Sequence, residues 1–262
     1  MEKHRQQVRP GVRALSAAAG LGWLACALLA GASQPARAEP LVLAVNEWCP
    51  YSCVFADGRR GILPDIVSEI FAGEGVAVSF VDMPLARGIE SARKGQIQGV
   101  VGIVPALAPD LSFPDEAVID TQFCFFTDPT STWQFKGFKH NYGKLVLGVA
   151  FGKAIDARLP RAFVNAAPMS GTAVTRRMIT MLGMHRLDAL LEDRRSVEYL
   201  VRQQSLAPLR MAGCIDRKTE YVAFAPAGGS QGRQYADMFS RGMLKLRHSG
   251  RLAHILADYA DK

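Results

Sequence analysis

One serine of this sequence lies in a motif that could support nucleophilic catalysis. Ser230 is the centre of a G-x-S-x-G pattern at residues 228–232. Asp237 and then His248 or His254 follow it in the order that a hydrolase triad requires. These partners lie in a stretch with helical spacing, whereas an α/β-hydrolase carries its acid and histidine on loops after further strands. We therefore interpret the segment as a turn and a helix N-cap, and we predict that the protein is not an enzyme.

The cysteines could form disulfides or bind a metal. Cys49, Cys53, Cys124 and Cys214 lie beyond residue 38, and an even number in an exported protein suggests two disulfides with three possible pairings. Cys49 and Cys53 are close enough for a local bridge around Pro50, and Cys124 would then pair with Cys214. Metal is less favoured, because C-x-x-x-C has no Cys or His partner at finger-like spacing. No H-E-x-x-H, Walker A or G-x-G-x-x-G motif occurs, so no cofactor is expected.

The N-terminus has the pattern of a secretory signal. A basic segment is followed by an uncharged stretch from Ala14 to Ala32 and by the small-x-small site Ala36-Arg37-Ala38. We predict a signal peptide at residues 1–38; an uncleaved anchor, or a lipoprotein acylated at Cys26, is the alternative. Cleavage removes five of the 31 basic residues and one of the 24 acidic ones, so the net charge falls from +7 to +3. No basic stripe with interleaved aromatics remains, and nucleic acid is not an expected partner.

The rest of the chain has the composition and pattern of a globular α/β protein. With 49% hydrophobic and 21% charged residues it is not a disordered chain. Short apolar runs, such as the one at 41–45, alternate with segments whose apolar residues recur at helical spacing, such as 63–71. This alternation predicts parallel strand–helix–strand units with helices on both faces of the sheets. A strand is also expected at 162–166.

These units fall into two groups that are joined by two long β-prone segments, 117–127 and 219–225. We predict a two-lobed α/β fold in which the chain crosses from lobe 1 (39–125) to lobe 2 (126–218) and returns to lobe 1 (219–262). In such a fold the ligand site is a cleft between the lobes, at the carboxyl ends of the strands.

Several local patterns resemble family 3 of the bacterial periplasmic solute-binding proteins, the type II, amino-acid-type receptors of ABC importers. The matching pieces are, in order, WCPY at 48–51, GILPDI at 61–66, PLAR at 84–87, FP at 113–114 and RLDALLED at 186–193. The resemblance covers essentially the whole mature chain. It implies a type II periplasmic binding protein fold, a periplasmic location, a small polar solute clamped by hinge closure, an inner-membrane ABC permease as partner, and a monomer.

The resemblance also implies the positions that contact the ligand. They are Trp48, Tyr51, Arg87, Gly102, Val104, Lys153 and Asp193. Trp48 would stack on the solute and Asp193 would pair with its amino group, whereas Gly102 and Val104 would offer backbone N–H groups. The competing interpretations are loop packing for Trp48, a helix N-cap for Asp193, and solvated surface positions for Arg87 and Lys153.

The sequence departs from this family at the position that usually holds the carboxylate of an amino acid. The loop at 106–112 contains no basic residue, so no guanidinium is there to bind a carboxylate in a bidentate manner. Lys153, next to Gly152, and Arg87 are the substitutes that the sequence offers. An amino acid or a related compound is therefore the expected solute. The alternatives are a dehydratase- or hydrolase-like enzyme on the same fold, or a sensor or scaffold with a degenerate site.

Overall fold

The computed structural model describes residues 39–150, 158–171, 173–203, 206–226 and 231–259. In chain order the elements are β1 (Leu41–Val45), α1 (Ile62–Ala72), β2 (Val78–Asp82), α2 (Leu85–Arg93), β3 (Gly99–Ile103), β4 (Ile119–Thr121), β5 (Phe123–Thr127), β6 (Leu147–Ala150), α3 (Leu159–Ala162), β7 (Ala166–Met169), α4 (Val174–Gly183), β8 (Ala189–Asp193), α5 (Arg194–Gln203), β9 (Arg210–Cys214), β10 (Lys218–Phe224), α6 (Gln231–His248) and α7 (Arg251–Ala257). The predicted signal peptide at 1–38, Lys153 and residues 228–230 lie outside the described residues.

The strands form two five-stranded sheets, each the centre of one lobe. Lobe 1 contains the sheet β2-β1-β3-β10-β4, and lobe 2 contains the sheet β7-β6-β8-β5-β9. In lobe 1, β1 runs parallel to β2 and β3, whereas β10 is antiparallel to β3 and β4. Lobe 2 repeats this plan, with β6 parallel to β7 and β8 and with β5 antiparallel to β8 and β9. The chain passes between the lobes twice, once before β5 and once before β10. These two strands are the ones that run antiparallel to both of their neighbours.

Helix α1 illustrates how the apolar pattern forms the core of lobe 1. Its apolar residues recur at i, i+3, i+4 and i+7, which places them on one face of a helix. Ile62, Leu63, Ile66, Val67, Ile70 and Phe71 are all buried, as this spacing predicts. Helix α6 packs closely on that face at Gly242, where an added Cβ would lie 2.5 Å from Cγ2 of Ile70. Small residues at such a crossing let the two helix backbones approach each other.

The long β-prone segment at 117–127 is two strands that belong to different lobes. β4 pairs with β10 in lobe 1, and β5 pairs with β8 and β9 in lobe 2, so the chain changes sheet at Gln122. The predicted lobe boundary between 125 and 126 therefore falls inside β5, whereas the change of sheet occurs before it. The return crossing lies between β9 and β10.

The prediction of a strand at 162–166 is wrong. Leu159–Ala162 is a short helix, α3, and the strand β7 begins only at Ala166. Pro160 lies in the first turn of this helix, where a proline is tolerated because its missing N–H would have no partner there. Leu159 and Ala162 are buried, so the apolar residues on either side of the proline pack in the core as part of a helix and not of a strand.

Among the described helices none is long and apolar enough to cross a membrane.

Candidate functional site

The turn after β1 brings two aromatic side chains into the interior between the lobes. Trp48 and Ser52 exchange backbone hydrogen bonds of 2.6 and 2.8 Å, and a disulfide joins Cys49 to Cys53. Gly61 lies against this turn with φ of 106°, and an added Cβ would be only 2.6 Å from the carbonyl oxygen of Tyr51. A glycine is needed there both for the conformation and for the space. The turn is thus held from two sides.

Trp48, Tyr51 and Phe123 form a layer of rings at the junction of the lobes. The ring centroids of Trp48 and Tyr51 are 4.3 Å apart, and those of Trp48 and Phe123 are 6.3 Å apart with an interplanar angle of 23°. All three side chains are buried. Phe123 is the first residue of β5 and so comes from lobe 2, whereas the other two belong to lobe 1. This layer separates two pockets.

The first pocket, which we call the cleft pocket, lies at the carboxyl ends of β1 and β3 and spans about 380 Å³, a volume that includes open solvent. It is lined by Asn46, Trp48, Leu85, Gly102, Ile103, Val104, Leu107, Phe123 and Glu220. Most of these side chains are apolar. The only ionisable group among its described lining residues is the carboxylate of Glu220, which is buried and accepts a 3.4 Å hydrogen bond from Oγ1 of Thr121.

The second pocket, which we call the hinge pocket, lies on the other side of the aromatic layer, beside the two crossings of the chain. It spans about 400 Å³, a volume that includes space open to solvent, and is lined by Tyr51, Asp120, Thr121, Gln122, Asp193, Arg194, Arg195 and Arg217. In contrast to the cleft pocket its lining is polar and carries three guanidinium groups. The two pockets share no lining residue.

Asp193 is held tightly at the end of β8 and caps the helix that follows. Its Oδ1 accepts a 3.0 Å hydrogen bond from the N–H of Ser196, which is the geometry of an N-cap for α5. Its Oδ2 accepts a 3.1 Å bond from the N–H of Gln122, and the hydroxyl of Tyr51 donates to the same carboxylate. Burial raises the pKa of Asp193, although these donors oppose the shift. Burial and the neighbouring Asp193 also raise the pKa of the Tyr51 hydroxyl.

The lobes also touch outside the aromatic layer. The N–H of Ala173 in lobe 2 donates to Oε2 of Glu47 at 3.3 Å. The rings of Phe55 in lobe 1 and Tyr199 in lobe 2 meet edge to face, with centroids 5.9 Å apart. Together with the contact between Tyr51 and Asp193, these interactions hold the two lobes against each other.

Solved structures share this arrangement, although no protein-family model and no curated protein matches the chain. A histidine kinase sensor domain with similarity to periplasmic binding proteins superposes with a TM-score of 0.69 at 14% identity, over 84% of this chain and 96% of that one. EhuB in complex with hydroxyectoine gives 0.69 at 19% identity, over 84% and 88%. The ancestral amino-acid-binding protein AncCDT-1, a precursor of cyclohexadienyl dehydratase, gives 0.66 at 14%, over 83% and 93%.

The fold is that of the type II periplasmic binding proteins. This is the fold class that the alternation of strands and helices and the family resemblance predict. These superpositions establish the fold of the chain. Because the sequence identities are below 20%, the ligand has to be argued from the site itself.

Within this type II fold, three of the seven predicted ligand residues line the cleft pocket: Trp48, Gly102 and Val104. Tyr51 and Asp193 line the hinge pocket instead. Arg87 is exposed on α2 and lines neither pocket.

Six of the nine residues that line the cleft pocket are missing from the sequence-based set, and two of these six, Phe123 and Glu220, could contact a solute through a ring or a charge. Phe123 stands in an uninterrupted aromatic and apolar run, which by itself indicates core. Glu220 is an acidic residue in a β-prone segment, and that was a usable signal, because a carboxylate in a strand that pairs on both sides must be buried or face a site. β10 lies between β3 and β4, so Glu220 is such a case.

The cysteines form the two predicted pairs. Cys49 joins Cys53 with their Cα atoms 5.3 Å apart, and Cys124 of β5 joins Cys214 of β9, which faces it in the sheet register. The second bridge lies next to both crossings between the lobes. No cluster of three or more His, Cys, Asp or Glu side chains suited to a metal ion occurs in the part of the chain that the structure describes.

Proposed function

We propose that this chain is a periplasmic solute-binding protein of family 3. It would capture a small polar solute in the cleft pocket by hinge closure and deliver it to an ABC permease of the inner membrane. The observation that carries the proposal is the cleft pocket itself. It combines Trp48 and Val104 of lobe 1 with Phe123 of lobe 2, at the carboxyl ends of parallel strands, where ligands bind in open α/β sheets. Both lobes would therefore contact one small ligand.

The lining of the cleft pocket favours an amino acid or a related amine with an apolar or aromatic portion. The rings of Trp48 and Phe123 offer stacking surfaces, and an ammonium group is attracted both by a ring face and by the Glu220 carboxylate. No Arg or Lys stands among the described lining residues. A carboxylate on the solute would therefore depend on the backbone N–H groups of Gly102 and Val104, or on Lys153, which stays a prediction.

Related proteins support this class of ligand. EhuB binds hydroxyectoine, and AncCDT-1 is an amino-acid-binding protein. The predicted export signal and the fold together favour a periplasmic location. AncCDT-1 is also a precursor of a dehydratase, and this similarity supports the alternative that the chain is an enzyme with its active site in the cleft.

A sensor is the second candidate function. One of the similar structures is a histidine kinase sensor domain, and the cleft here has no base at the position that usually binds a carboxylate. A transport receptor would bind a permease, whereas a sensor would bind or be part of a kinase. A pull-down that recovers a permease or a kinase therefore distinguishes the two functions.

The proposal is tested by thermal shift of the mature protein against a panel of amino acids, amines and organic acids, with mass spectrometry of any solute that co-purifies. We expect an amine-bearing solute to raise the melting temperature. Glu220→Gln should weaken its binding by roughly tenfold or more, since one charge-assisted contact is lost. The matched control is Glu90→Gln, an exposed carboxylate of lobe 1 that pairs with Lys94 at 3.2 Å on the surface of α2.

Two results would contradict the proposal. One is turnover of a panel compound, which would indicate an enzyme. The other is a solute whose affinity is the same for Glu220→Gln as for the wild type.

A further inference from the structure

The hinge pocket collects cationic side chains from segments that are far apart in the chain. Arg194 and Arg195 begin α5 of lobe 2, and Arg217 lies on the return crossing between β9 and β10. The outgoing crossing around Gln122 and Tyr51 of lobe 1 also line this pocket. The pocket therefore touches both lobes and both crossings.

Arg195 is the arginine of this pocket that has a donor atom without an acceptor. Its Nη1 is buried from solvent and has no hydrogen-bond partner. Its guanidinium lies over the ring of Tyr51, with Cζ 5.6 Å from the ring centroid. A buried guanidinium nitrogen without an acceptor is costly, and native proteins rarely leave one unexplained.

The neighbouring charges do not neutralise Arg195. Arg194 pairs with Glu198 at 3.6 Å on the surface of α5. Asp193 already accepts from two backbone N–H groups and from the Tyr51 hydroxyl, and Asp120 accepts a 2.9 Å bond from Oγ1 of Thr219. Arg217 is exposed and makes no ion pair with any carboxylate in the described part of the chain. The two guanidinium groups of Arg195 and Arg217 thus remain available to one anion.

We propose that the hinge pocket binds a small oxyanion, a carboxylate or a phosphate group, between Arg195 and Arg217. A guanidinium presents paired N–H donors that match the oxygen spacing of both groups, which is why arginine is favoured at such sites. The anion would accept from the part of the Arg195 guanidinium that lines the pocket, and it would bridge to the return crossing through Arg217. Because residues of both lobes line the pocket, an anion bound there would stabilise the present arrangement of the lobes. The site is separate from the cleft pocket and does not depend on which solute that pocket takes.

The test uses titration calorimetry and thermal melts of the mature protein with inorganic phosphate, with acetate and with chloride at equal ionic strength. We expect phosphate, acetate or both to bind and to raise the melting temperature relative to chloride. Arg195→Met and Arg217→Met should each weaken that binding by about tenfold or more, since each removes a charge-assisted contact. The control Arg176→Met removes an equal charge from an exposed position of α4 and should leave binding unchanged.

The arms distinguish the source of the oxyanion. A response to phosphate alone assigns the site to phosphate groups, and a response to acetate alone assigns it to carboxylates. Equal responses to all three salts, or binding that survives in both Arg195→Met and Arg217→Met, would overturn the proposal. Should Arg195→Met fail to fold, Arg217→Met decides alone, because the Arg217 side chain is exposed and its loss leaves the core intact.

Discussion

The backbone N–H of Gln122 donates to Oδ2 of Asp193 at 3.1 Å, and the carbonyl oxygen of Gln122 accepts from the N–H of Arg194 at 2.9 Å. The residue at which the chain changes sheet is therefore bound to the last residue of β8 and the first of α5. Asp193, whose position in this fold suggests a ligand contact, also organises the crossing between the lobes.

Asp193→Asn should destabilise the protein. An asparagine oxygen can still accept from Ser196, but the amide nitrogen would then face the N–H of Gln122, and two donors cannot bond to each other. We expect a loss of about 1–3 kcal/mol in the free energy of unfolding, measured by urea denaturation. Glu198→Gln, an exposed change in the same helix, should stay within about 0.5 kcal/mol of the wild type.

The opposite outcome for this variant is also informative. If Asp193→Asn leaves the stability unchanged but lowers the affinity for the identified solute by roughly 30-fold or more, the carboxylate binds the ligand. Unchanged solute affinity would remove Asp193 from the ligand site.

The raised pKa of Asp193 predicts a specific pH dependence of stability. The folded chain binds the proton of this carboxyl more tightly than the unfolded chain does, because burial disfavours the charged form. Its contribution to stability is therefore fully present below the ordinary value of 3.8 and is lost as the pH rises through the folded-state pKa. The stability of the wild type minus that of Asp193→Asn should fall as the pH increases from acid toward neutral.

Urea denaturation at a series of pH values measures this difference. Asp65 also has a pKa raised by burial, but both proteins contain it and its effect cancels. A difference that grows with pH would mean that the folded state lowers the pKa of Asp193.

Sequence reasoning succeeded where the relevant signal was local. The spacing of Ile66, Ile70 and their neighbours identified α1, since a helix repeats every 3.6 residues. The tight spacing of Cys49 and Cys53 likewise identified a local bridge, and with four cysteines it fixed the second pair.

It failed where the outcome depended on partners far along the chain. Nothing in the apolar run at 117–127 identifies Gln122 as the residue before which the chain pairs with β10 and after which it pairs with β8. The residues on either side of Gln122 both have the pattern of an ordinary buried strand. Glu220 and Arg195 acquire their surroundings only when β10 and α5 return to the crossing. Those surroundings are the product of sheet topology, which the sequence pattern indicates in outline and not residue by residue.

Tyr51→Phe should loosen the contact between the lobes while keeping the ring layer. The variant removes the hydroxyl that donates to Asp193 and leaves the ring that packs on Trp48. We expect a loss of about 1.5–3 kcal/mol in the free energy of unfolding, as is typical for a hydrogen bond to a charged group. The pKa of Asp193 should rise further, because the lost donor favours the charged form.

Carboxyl-carbon NMR titration of Asp193, together with urea denaturation, checks both effects. Tyr199→Phe is the matched control, since that ring also contacts the other lobe but its hydroxyl makes no hydrogen bond with a described residue. Equal effects of the two substitutions would show that the Tyr51 hydroxyl contributes nothing specific.

The two disulfides should differ in what they contribute to stability. The bridge between Cys49 and Cys53 closes a loop with a sequence separation of 4, whereas that between Cys124 and Cys214 spans 90 residues. In the loop-entropy model the short bridge contributes about 2 kcal/mol and the long one about 4.5 kcal/mol, because the long bridge restricts the unfolded chain more.

Urea denaturation of Cys49→Ser/Cys53→Ser and of Cys124→Ser/Cys214→Ser measures the two contributions under identical oxidising conditions. We expect the second double variant to lose more stability, and the first to lose solute affinity in addition, because its bridge pins the turn that carries Trp48. Non-reducing peptide mapping gives the pairing independently. Free thiols in the oxidised protein, or a link between Cys49 and Cys214, would contradict it. A larger loss from the short bridge would mean that the turn after β1 stabilises the closed lobes by more than chain entropy.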